Sequence, residues 1–261
     1  MPITSFVEEE GRGNGRGHHE HGQGKGLGHQ KHAENAMADG VYTLNIDGVS
    51  TVNATATNVA SAPVALADGG VINTEVRQGA ITIGVVGGEE ALHLVTDADN
   101  GRLRVNVGLD QDQHVALGDL DTLKFDYYVD ASTRTGVIPV LRLIVDADGD
   151  LATTGDIGEL VFEWAYQGAG AVPQDSWRTA DLAGDDWVAW QRSLGQNRDQ
   201  VASMTEFSDW TDEDGFTPAG GLTFDADSLV IGWSLALGSG NGVTNAYVNT
   251  LTLGGTTYDF G

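Results

Sequence analysis

The 261-residue chain has no cysteine and no long apolar run, and each absence excludes a class of protein. Without cysteine there are no disulfides, no thiolate catalysis and no cysteine-ligated zinc. No stretch reaches the roughly 18 apolar residues of a membrane-spanning helix, so we expect no membrane insertion. The first ten residues do not form a secretory signal. We therefore expect a surface form to have lost its signal, to use another export route or to leave the cell in a virion.

Basic residues are also scarce, because 13 Lys and Arg face 38 Asp and Glu, for a formal charge of -25. Residues 1–32 hold four basic and four acidic residues, so the remainder of the chain carries the whole imbalance. Such a charge repels phosphate, and nucleic acid is therefore not an expected partner. The acidic surplus fits either a salt-adapted, halophile-like surface or Asp-rich turns that hold Ca²⁺, and the two can coexist.

Residues 1–40 are interpreted as a flexible N-terminal arm and Gly/His-rich linker, ahead of a single β domain at 41–261. Five of the seven histidines lie among glycines at 11–32. This stretch can be an adventitious metal site, a polyanion-binding arm or a linker. The linker is favoured because nothing preorganises the histidines. The apolar residues ahead of it, Ile3, Phe6 and Val7, could add to the sheet edge of a neighbouring copy.

Short apolar runs separated by Gly, Asp and Asn clusters fill the rest of the chain. This rhythm predicts an all-β protein, an antiparallel β-sandwich or barrel. One segment, 196–207, has helical spacing of its apolar residues and predicts the single short helix. The predicted strands are 41–46, 71–77, 80–86, 91–95, 102–107, 123–129, 137–145, 160–166, 228–237 and 246–253.

The best metal candidate is VDADGDLATTGD at 145–156. Asp146, Asp148 and Asp150 at alternate positions can turn three carboxylates toward one hard cation, with Asp156 as an extra ligand. The loop departs from an EF-hand, which would have Gly where this chain has Leu151 and Glu at the position of Ile157. The sequence therefore predicts structural Ca²⁺ here, with an ordinary acidic loop as the alternative.

Catalytic constellations are weak in this sequence. Glu159 and Glu163 share one face of a predicted strand, but four residues at about 3.3 Å each place them about 13 Å apart. Glycoside hydrolases need carboxyl pairs about 5–9.5 Å apart. Beyond residue 32 the histidines are His93 and His114, and no nucleophilic serine motif accompanies them. No catalytic residue is therefore predicted.

Three tryptophans, Trp177, Trp187 and Trp190, lie in a polar region and could stack on sugar rings. The alternative is that they cap or fill the core, as most tryptophans beside a strand do. The aromatic stripe Phe162, Trp164 and Tyr166 is interpreted mainly as core.

The closing stretch NAYVNTLTL at 245–253 resembles the last strand of the galactose-binding-like jelly rolls found in carbohydrate-binding modules and other secreted microbial proteins. The segments 117–130, 141–150 and 160–166 also resemble successive long strands of such domains, and the likeness covers about 90–253. It implies a jelly-roll sandwich that binds or assembles rather than catalyses. The calcium position of that superfamily would fall on Asn249, where the family often has Asp.

Three functions follow, in order of preference. The first is a non-enzymatic surface or extracellular structural protein, a homo-oligomeric β-sandwich subunit that self-assembles through its arm into a filament, surface layer or virion. The second is a carbohydrate-binding module that recognises a glycan through the loop tryptophans. The third is a glycoside hydrolase or lyase. Structural Ca²⁺ is the one cofactor expected.

Overall fold

A computed structural model describes residues 54–56, 60–65, 71–109, 111–151, 153, 156–168, 170–184, 187–193, 200–238 and 240–260. For residues 54–75, 193 and 200–203 it describes the backbone alone. The predicted arm and linker at 1–40, with Ile3, Phe6 and Val7, lie outside the described residues, as does the predicted strand at 41–46.

Strands dominate the described part of the chain. In chain order they are β1 (Ala54–Ala56), β2 (Ala60–Ala65), β3 (Val71–Arg77), β4 (Gly79–Val86), β5 (Glu89–Thr96), β6 (Arg102–Gly108), β7 (Val115–Ala116), β8 (Leu123–Ser132), β9 (Val140–Asp146), β10 (Ile157–Phe162), β11 (Trp177–Asp181), β12 (Val188–Ser193), β13 (Gln200–Glu206), β14 (Leu229–Leu237), β15 (Thr244–Leu253) and β16 (Thr256–Asp259).

The strands form two antiparallel sheets that pack as a sandwich. A seven-stranded sheet has the order β1-β4-β5-β15-β8-β11, with β16 paired to β15. A nine-stranded sheet has the order β13-β12-β10-β9-β14-β6-β3-β2, with β7 paired to β14. Strand β14 lies between β9 and β6, and β15 lies between β5 and β8. The chain thus brings its last two long strands into the middle of the sheets, a neighbour relation typical of Greek-key and jelly-roll proteins.

The core lies between the sheets and is built by residues that alternate along each strand. In β9, Leu141, Leu143 and Val145 point inward, and in β14 Trp233 and Leu235 meet them from the neighbouring strand. Each fully buried side chain of this size contributes about 1.5–3 kcal/mol. The fold class predicted from the strand rhythm, an all-β antiparallel sandwich, is confirmed.

One short α-helix, α1 (Phe207–Thr211), lies in the described residues. Its Phe207 and Trp210 are three positions apart, so both reach the core, where Trp210 packs 4.8 Å from Phe216 between ring centroids. No helix in the described ranges has the length and hydropathy needed to cross a lipid bilayer.

The helix predicted at 196–207 is wrong over its described part. Residues Gln200–Glu206 form strand β13, and the helix begins only at Phe207. The spacing of Val201, Met204 and Phe207 suits a helix and does not place all three on one face of a strand. Pairing with β12, which runs from Val188 to Ser193, decides in favour of the strand.

Strand predictions were otherwise close where the chain is described. The run at 71–77 matches β3 residue for residue, and those at 80–86, 91–95, 102–107, 123–129 and 228–237 lie inside or within one residue of strands. The run at 160–166 is partly wrong because β10 ends at Phe162 and Trp164–Tyr166 form a 3-10 turn. Phe162, Trp164 and Tyr166 therefore do not form a strand stripe.

Candidate functional site

The predicted metal loop connects β9 to β10 and is held by its own backbone. The Ala147 N–H donates to the Asp156 carbonyl at 3.1 Å, which closes the loop at its base. Gly149 has a φ of +69°, a left-handed conformation that favours glycine, and it turns the chain between Asp148 and Asp150. The loop therefore returns Asp156 to the end of β9, next to Asp146.

Three carboxylates converge in this loop. One oxygen from each of Asp146, Asp148 and Asp156 lies within 4.8 Å of the other two. Calcium–oxygen distances of about 2.3–2.6 Å allow ligand oxygens up to about 5 Å apart across one ion. The spacing therefore fits a single Ca²⁺. The fourth predicted ligand, Asp150, is exposed, and its part in the loop is to donate its backbone N–H to Asp148 Oδ1 at 2.8 Å.

Burial distinguishes this cluster from an ordinary acidic loop. Asp146 has no exposed surface. Among the described residues, neither of its carboxylate oxygens makes a hydrogen bond of normal geometry, and neither does Asp156 Oδ1. The backbone N–H of Gly149 lies near enough only to favour the charged form of Asp146 in part. Buried polar atoms are nearly always paired, and a buried ionised carboxylate is paired or bound to a metal. These orphaned oxygens are what a bound cation would satisfy.

The protonation of the cluster follows from its surroundings. Burial raises the pKa of the Asp146 carboxyl above its usual value, and the nearby charge of Asp156 raises it further. The backbone N–H of Asp150 lowers the pKa of Asp148, which stays ionised more readily. A bound cation would lower the pKa of Asp146, because it favours the charged form of the carboxyl group.

Thr153 helps to hold the ligands in place. Its hydroxyl lies 2.9 Å from Asp156 Oδ2 and 3.2 Å from Asp148 Oδ1, and it can donate to one of them at a time. Sequence reasoning did not single out Thr153. The sequence feature that could have identified Thr153 is its position as a hydroxyl residue between the aspartates of the loop.

A second Asp-Ala-Asp turn lies against the first. The Ser228 hydroxyl, at the end of residues 225–228, donates to the Ala147 carbonyl at 2.9 Å. Ser228 is fully buried, and it accepts a hydrogen bond from the Asp225 N–H at 3.1 Å. Two similar triplets that are far apart in sequence thus meet at the β9 end of the nine-stranded sheet.

The three predicted sugar-stacking tryptophans lie in different places. Trp187 belongs to the central core, and Trp190 belongs to a second apolar cluster. Their exposed fractions are 6% and 9%, so neither indole has a face open to a sugar ring. Trp177 is half-buried at the start of β11 and is the one of the three with accessible ring surface. Of the three tryptophans, only Trp177 therefore stays a candidate for stacking on a sugar ring.

Trp177 continues a row of rings on the outward side of the seven-stranded sheet. Cross-strand register places Trp177 opposite Tyr128, Tyr128 opposite Tyr247, and Tyr247 opposite His93. His93 and Tyr247 stack with centroids 4.1 Å apart, and Tyr128 meets Trp177 edge to face at 5.6 Å. Sequence reasoning missed this row because its four members come from four separate strands.

Polar groups adjoin the ring row. Asn245 Oδ1 accepts a hydrogen bond from His93 Nε2–H at 2.5 Å, and Asn245 Nδ2 donates to Asp130 Oδ2 at 2.6 Å. Burial lowers the pKa of His93 and keeps the ring neutral, an effect that Asn245 and Asp130 only partly oppose. A shallow cleft of about 280 Å³ continues from Asn245 along the ends of β5 and β8.

The two glutamates weighed for hydrolysis have different surroundings in this fold. Glu159 is buried, with its carboxylate oxygens 3.6 Å from Arg104 and from Arg192. Glu163 follows the last residue of β10, and burial raises its pKa. His114 contacts the Leu109 carbonyl at 3.2 Å. Each group is engaged in packing or pairing.

Asn249, the position at which the family resemblance would place a calcium ligand, instead donates to Glu89 Oε2 at 2.7 Å. The neighbouring Thr250 donates to Asp126 Oδ2 at 3.0 Å. Comparisons with protein-family models, curated proteins and solved structures find no match to this chain. The resemblance to galactose-binding-like jelly rolls therefore stays a prediction.

Proposed function

We propose that this chain is a non-enzymatic structural subunit of a cell surface, an extracellular layer or a virion. In this proposal the β-sandwich binds structural Ca²⁺ and self-assembles through its N-terminal arm. The observation that carries it is the buried Asp146 carboxylate, which makes no hydrogen bond of normal geometry among the described residues and converges with Asp148 and Asp156.

Calcium connects the site to a location outside cells. Extracellular calcium modules bind with dissociation constants of about 10⁻⁴–10⁻³ M, so a site in that range is filled where free Ca²⁺ is abundant. A net charge of -25 also needs counter-ions to offset repulsion within and between subunits. Both features support a subunit that works where divalent cations or salt are abundant.

The non-enzymatic part of the proposal is supported by how the acid–base candidates are used. Glu159 is held between two arginines, and His93 is stacked on Tyr247. Both groups contact neighbouring side chains of their own sheet, and this supports a structural use. The assembly part rests on the sequence of the arm, with Ile3, Phe6 and Val7 ahead of a Gly-rich spacer.

Electron microscopy of the purified full chain, with Ca²⁺ and with a chelator, tests the proposal. We expect ordered filaments, sheets or shells with Ca²⁺ and fewer or none after chelation. A variant lacking residues 1–32 should remain folded by circular dichroism but fail to assemble. Single particles under all conditions would contradict the assembly role. Calorimetry showing no Ca²⁺ binding would contradict the calcium role.

A second candidate function is glycan binding, and the ring row on the seven-stranded sheet favours it. Aromatic rings beside amide and carboxylate groups suit the apolar faces and hydroxyl rims of sugars. Trp177 would supply the stacking surface, and Asn245 and Asp130 would bond hydroxyl groups.

Pull-down with neutral insoluble polysaccharides at several salt concentrations tests this second candidate. We expect Trp177→Ala to reduce binding about five- to tenfold, since one lost stacking contact is worth about 1–1.5 kcal/mol. Tyr166→Ala is the matched control, because Tyr166 is an exposed aromatic residue away from the row. Equal retention of all three proteins, or no retention of any, would reject glycan binding through Trp177.

A further inference from the structure

Three buried polar side chains lie together on the outward side of the nine-stranded sheet. Arg142 is on β9, and strand register places it directly opposite Ser234 on β14. Arg104 is on β6, the other neighbour of β14. The two arginines are each 8% exposed, and Ser234 has no exposed surface. Side chains directly opposite each other on one face of a sheet have Cβ atoms about 5 Å apart, so Ser234 and Arg142 are close neighbours.

The side chain of Arg104 passes over this pair. Its Nη1 lies 3.6 Å from Glu159 on β10, which is three strands away from β6. Neighbouring strands are about 4.8 Å apart, so the side chain has to extend across β14 and β9. The line from Arg104 to Glu159 crosses these strands at Ser234 and Arg142, which lie between the two in register. Arg104 therefore covers both residues from outside.

The hydrogen-bond donors of these three residues are unsatisfied. Within the described ranges, Arg142 Nε and Nη1, Arg104 Nε and Ser234 Oγ are shielded from solvent and make no hydrogen bond. Apart from Asn106, which lies opposite Ser234 on β6, the outward side chains around them are apolar. These apolar neighbours are Val140, Ile144, Val161 and Ala236. Buried polar atoms are nearly always paired, so donors that converge without an acceptor indicate a missing partner.

Charge is also unbalanced in this buried layer. Glu159 lies 3.6 Å from Arg104 and 3.6 Å from Arg192, so one carboxylate serves two guanidinium groups. Arg142 forms no ion pair with any residue that the structure describes. Glu159 Oε2 makes no hydrogen bond of normal geometry, but turning it to Arg142 would take it from Arg192. Three guanidinium groups have about fifteen N–H donors, whereas one carboxylate accepts about four. The missing partner is therefore an acceptor that carries negative charge.

The other carboxylates on this side of the sheet are distant from Arg142 or tend to be uncharged. Glu75 on β3 and Glu206 on β13 are each three strands from β9, about 14 Å away. Asp146 is four residues farther along β9, about 13 Å away, and belongs to the metal loop. Glu163 follows β10, and burial raises its pKa, which favours the uncharged form. None of these four glutamate and aspartate side chains is placed to neutralise Arg142.

We propose that Arg142, Ser234 and Arg104 hold a small inorganic anion, with chloride as the ligand. One monatomic anion offsets the charge of Arg142 and accepts N–H and O–H donors from several directions at once. The residues have almost no exposed surface, which favours a single atom over phosphate or an organic acid. A buried water would supply an acceptor but no charge, and the experiment separates the two. The site is independent of the calcium loop and of assembly through the arm.

Urea denaturation of the full chain in sodium chloride and in sodium gluconate, at equal ionic strength and with chelator, tests for the anion. Gluconate is too large for an enclosed site. At a chloride concentration 100 times the dissociation constant, we expect the ratio of folded to unfolded protein to be about 100-fold higher than in gluconate. Screening of the net charge of -25 acts equally in both salts. Equal stability in the two salts would overturn the proposal and assign the space to water.

Variants locate the effect. Arg142→Met keeps a side chain of similar length without charge, and we expect it to lose the difference between chloride and gluconate. In gluconate it should be at least as stable as the original chain, because a buried cation without a counter-charge is removed. Arg178→Met, at an exposed site on the other sheet, is the matched control and should keep the full difference. A chloride effect of the same size in both variants would reject this site.

Ser234→Ala gives a second measurement that leaves both arginines in place. It removes one donor, and a hydrogen bond to a charged group is strong enough that the chloride concentration for half-maximal stabilisation should rise at least about tenfold. An unchanged concentration would exclude Ser234 from the site. If Arg142→Met does not fold, the chloride dependence of the Ser234→Ala chain decides the proposal.

Discussion

The Ser228 hydroxyl donates a 2.9 Å hydrogen bond to the carbonyl of Ala147, across 81 residues of sequence. Both groups are part of Asp-rich turns, and the bond fixes the start of β14 against the end of β9. Because Asp146 directly precedes Ala147, the same bond positions the buried carboxylate of the metal cluster. If the cluster binds a cation as proposed, we expect stability and cation binding to be coupled at this point.

Replacement of Ser228 by Ala should expose that coupling. We expect a loss of about 1–3 kcal/mol in the free energy of unfolding, because the Ala147 carbonyl loses its buried donor. The Ca²⁺ concentration needed for half-saturation should also rise. Urea denaturation with and without Ca²⁺ measures both effects. Ser208→Ala, at an exposed site on the helix, is the control and should change neither.

Calcium should stabilise the protein through Asp146. At a free Ca²⁺ concentration 100 times the dissociation constant, we expect a gain of about 2.7 kcal/mol. Asp146→Asn should abolish that gain while leaving the Ca²⁺-free protein at least as stable as the original at neutral pH. Thermal unfolding with Ca²⁺ and with chelator measures this. Asp97→Asn, in an exposed Asp-Ala-Asp turn, should keep the full gain; a similar loss in both variants would show that the effect is not local.

Without Ca²⁺, the stability should depend on pH with a sign set by Asp146. Its folded-state pKa is raised, so the folded protein holds more protons than the unfolded chain between the usual value and the raised one. The stabilising contribution is therefore complete below the usual pKa and is lost as pH rises through the raised value. Asp148, whose pKa is lowered, has the opposite sign at lower pH.

Chemical denaturation of the chelated protein across this pH range checks the sign. Asp146→Asn should flatten the fall in stability with rising pH. Saturating Ca²⁺ should remove or reverse it, because the ion binds the deprotonated carboxylate. A fall of the same size in the Asn variant would assign the effect to other groups.

Glu159→Gln should be strongly destabilising. The carboxylate lies 3.6 Å from both Arg104 and Arg192 and is almost fully buried, so its loss leaves two guanidinium groups poorly compensated. We expect a cost of about 3–5 kcal/mol, as for other broken buried ion pairs. Glu213→Gln, in an exposed acidic turn, should change stability by less than about 0.5 kcal/mol. Equal unfolding midpoints for both variants would contradict a structural role for Glu159.

Much of the sandwich could be predicted because its long strands alternate between apolar and polar residues with turn residues between them. Strand β3 is an example, since Val71–Arg77 is bounded by glycine and a turn. The short strands β11 and β12 were not predicted. Their apolar residues are few, and pairing with β8 and β10 rather than local pattern makes them strands.

The candidate sites were predictable only where their residues are close in sequence. Asp146, Asp148 and Asp156 share one loop, so their spacing alone indicated a cation site. The ring row combines residues from four strands, and the ion pairs of Glu159 with Arg104 and Arg192 combine residues from three. Their existence depends on strand order, and the position of β14 between β9 and β6 could not be derived from local pattern.

Because β14 and β15 lie in the middle of the two sheets, neither sheet can be completed before these late strands are synthesised. Until residues 229–253 are available, β9 has no partner on the side facing β6, and β5 has none on the side facing β8. A chain emerging from a ribosome or a translocon therefore carries four unpaired strand edges for most of its synthesis. The sheets close late in synthesis, through pairing of strands that are far apart in sequence, and such folding is slow. Residues 229–253 therefore have to be present before either sheet can be completed.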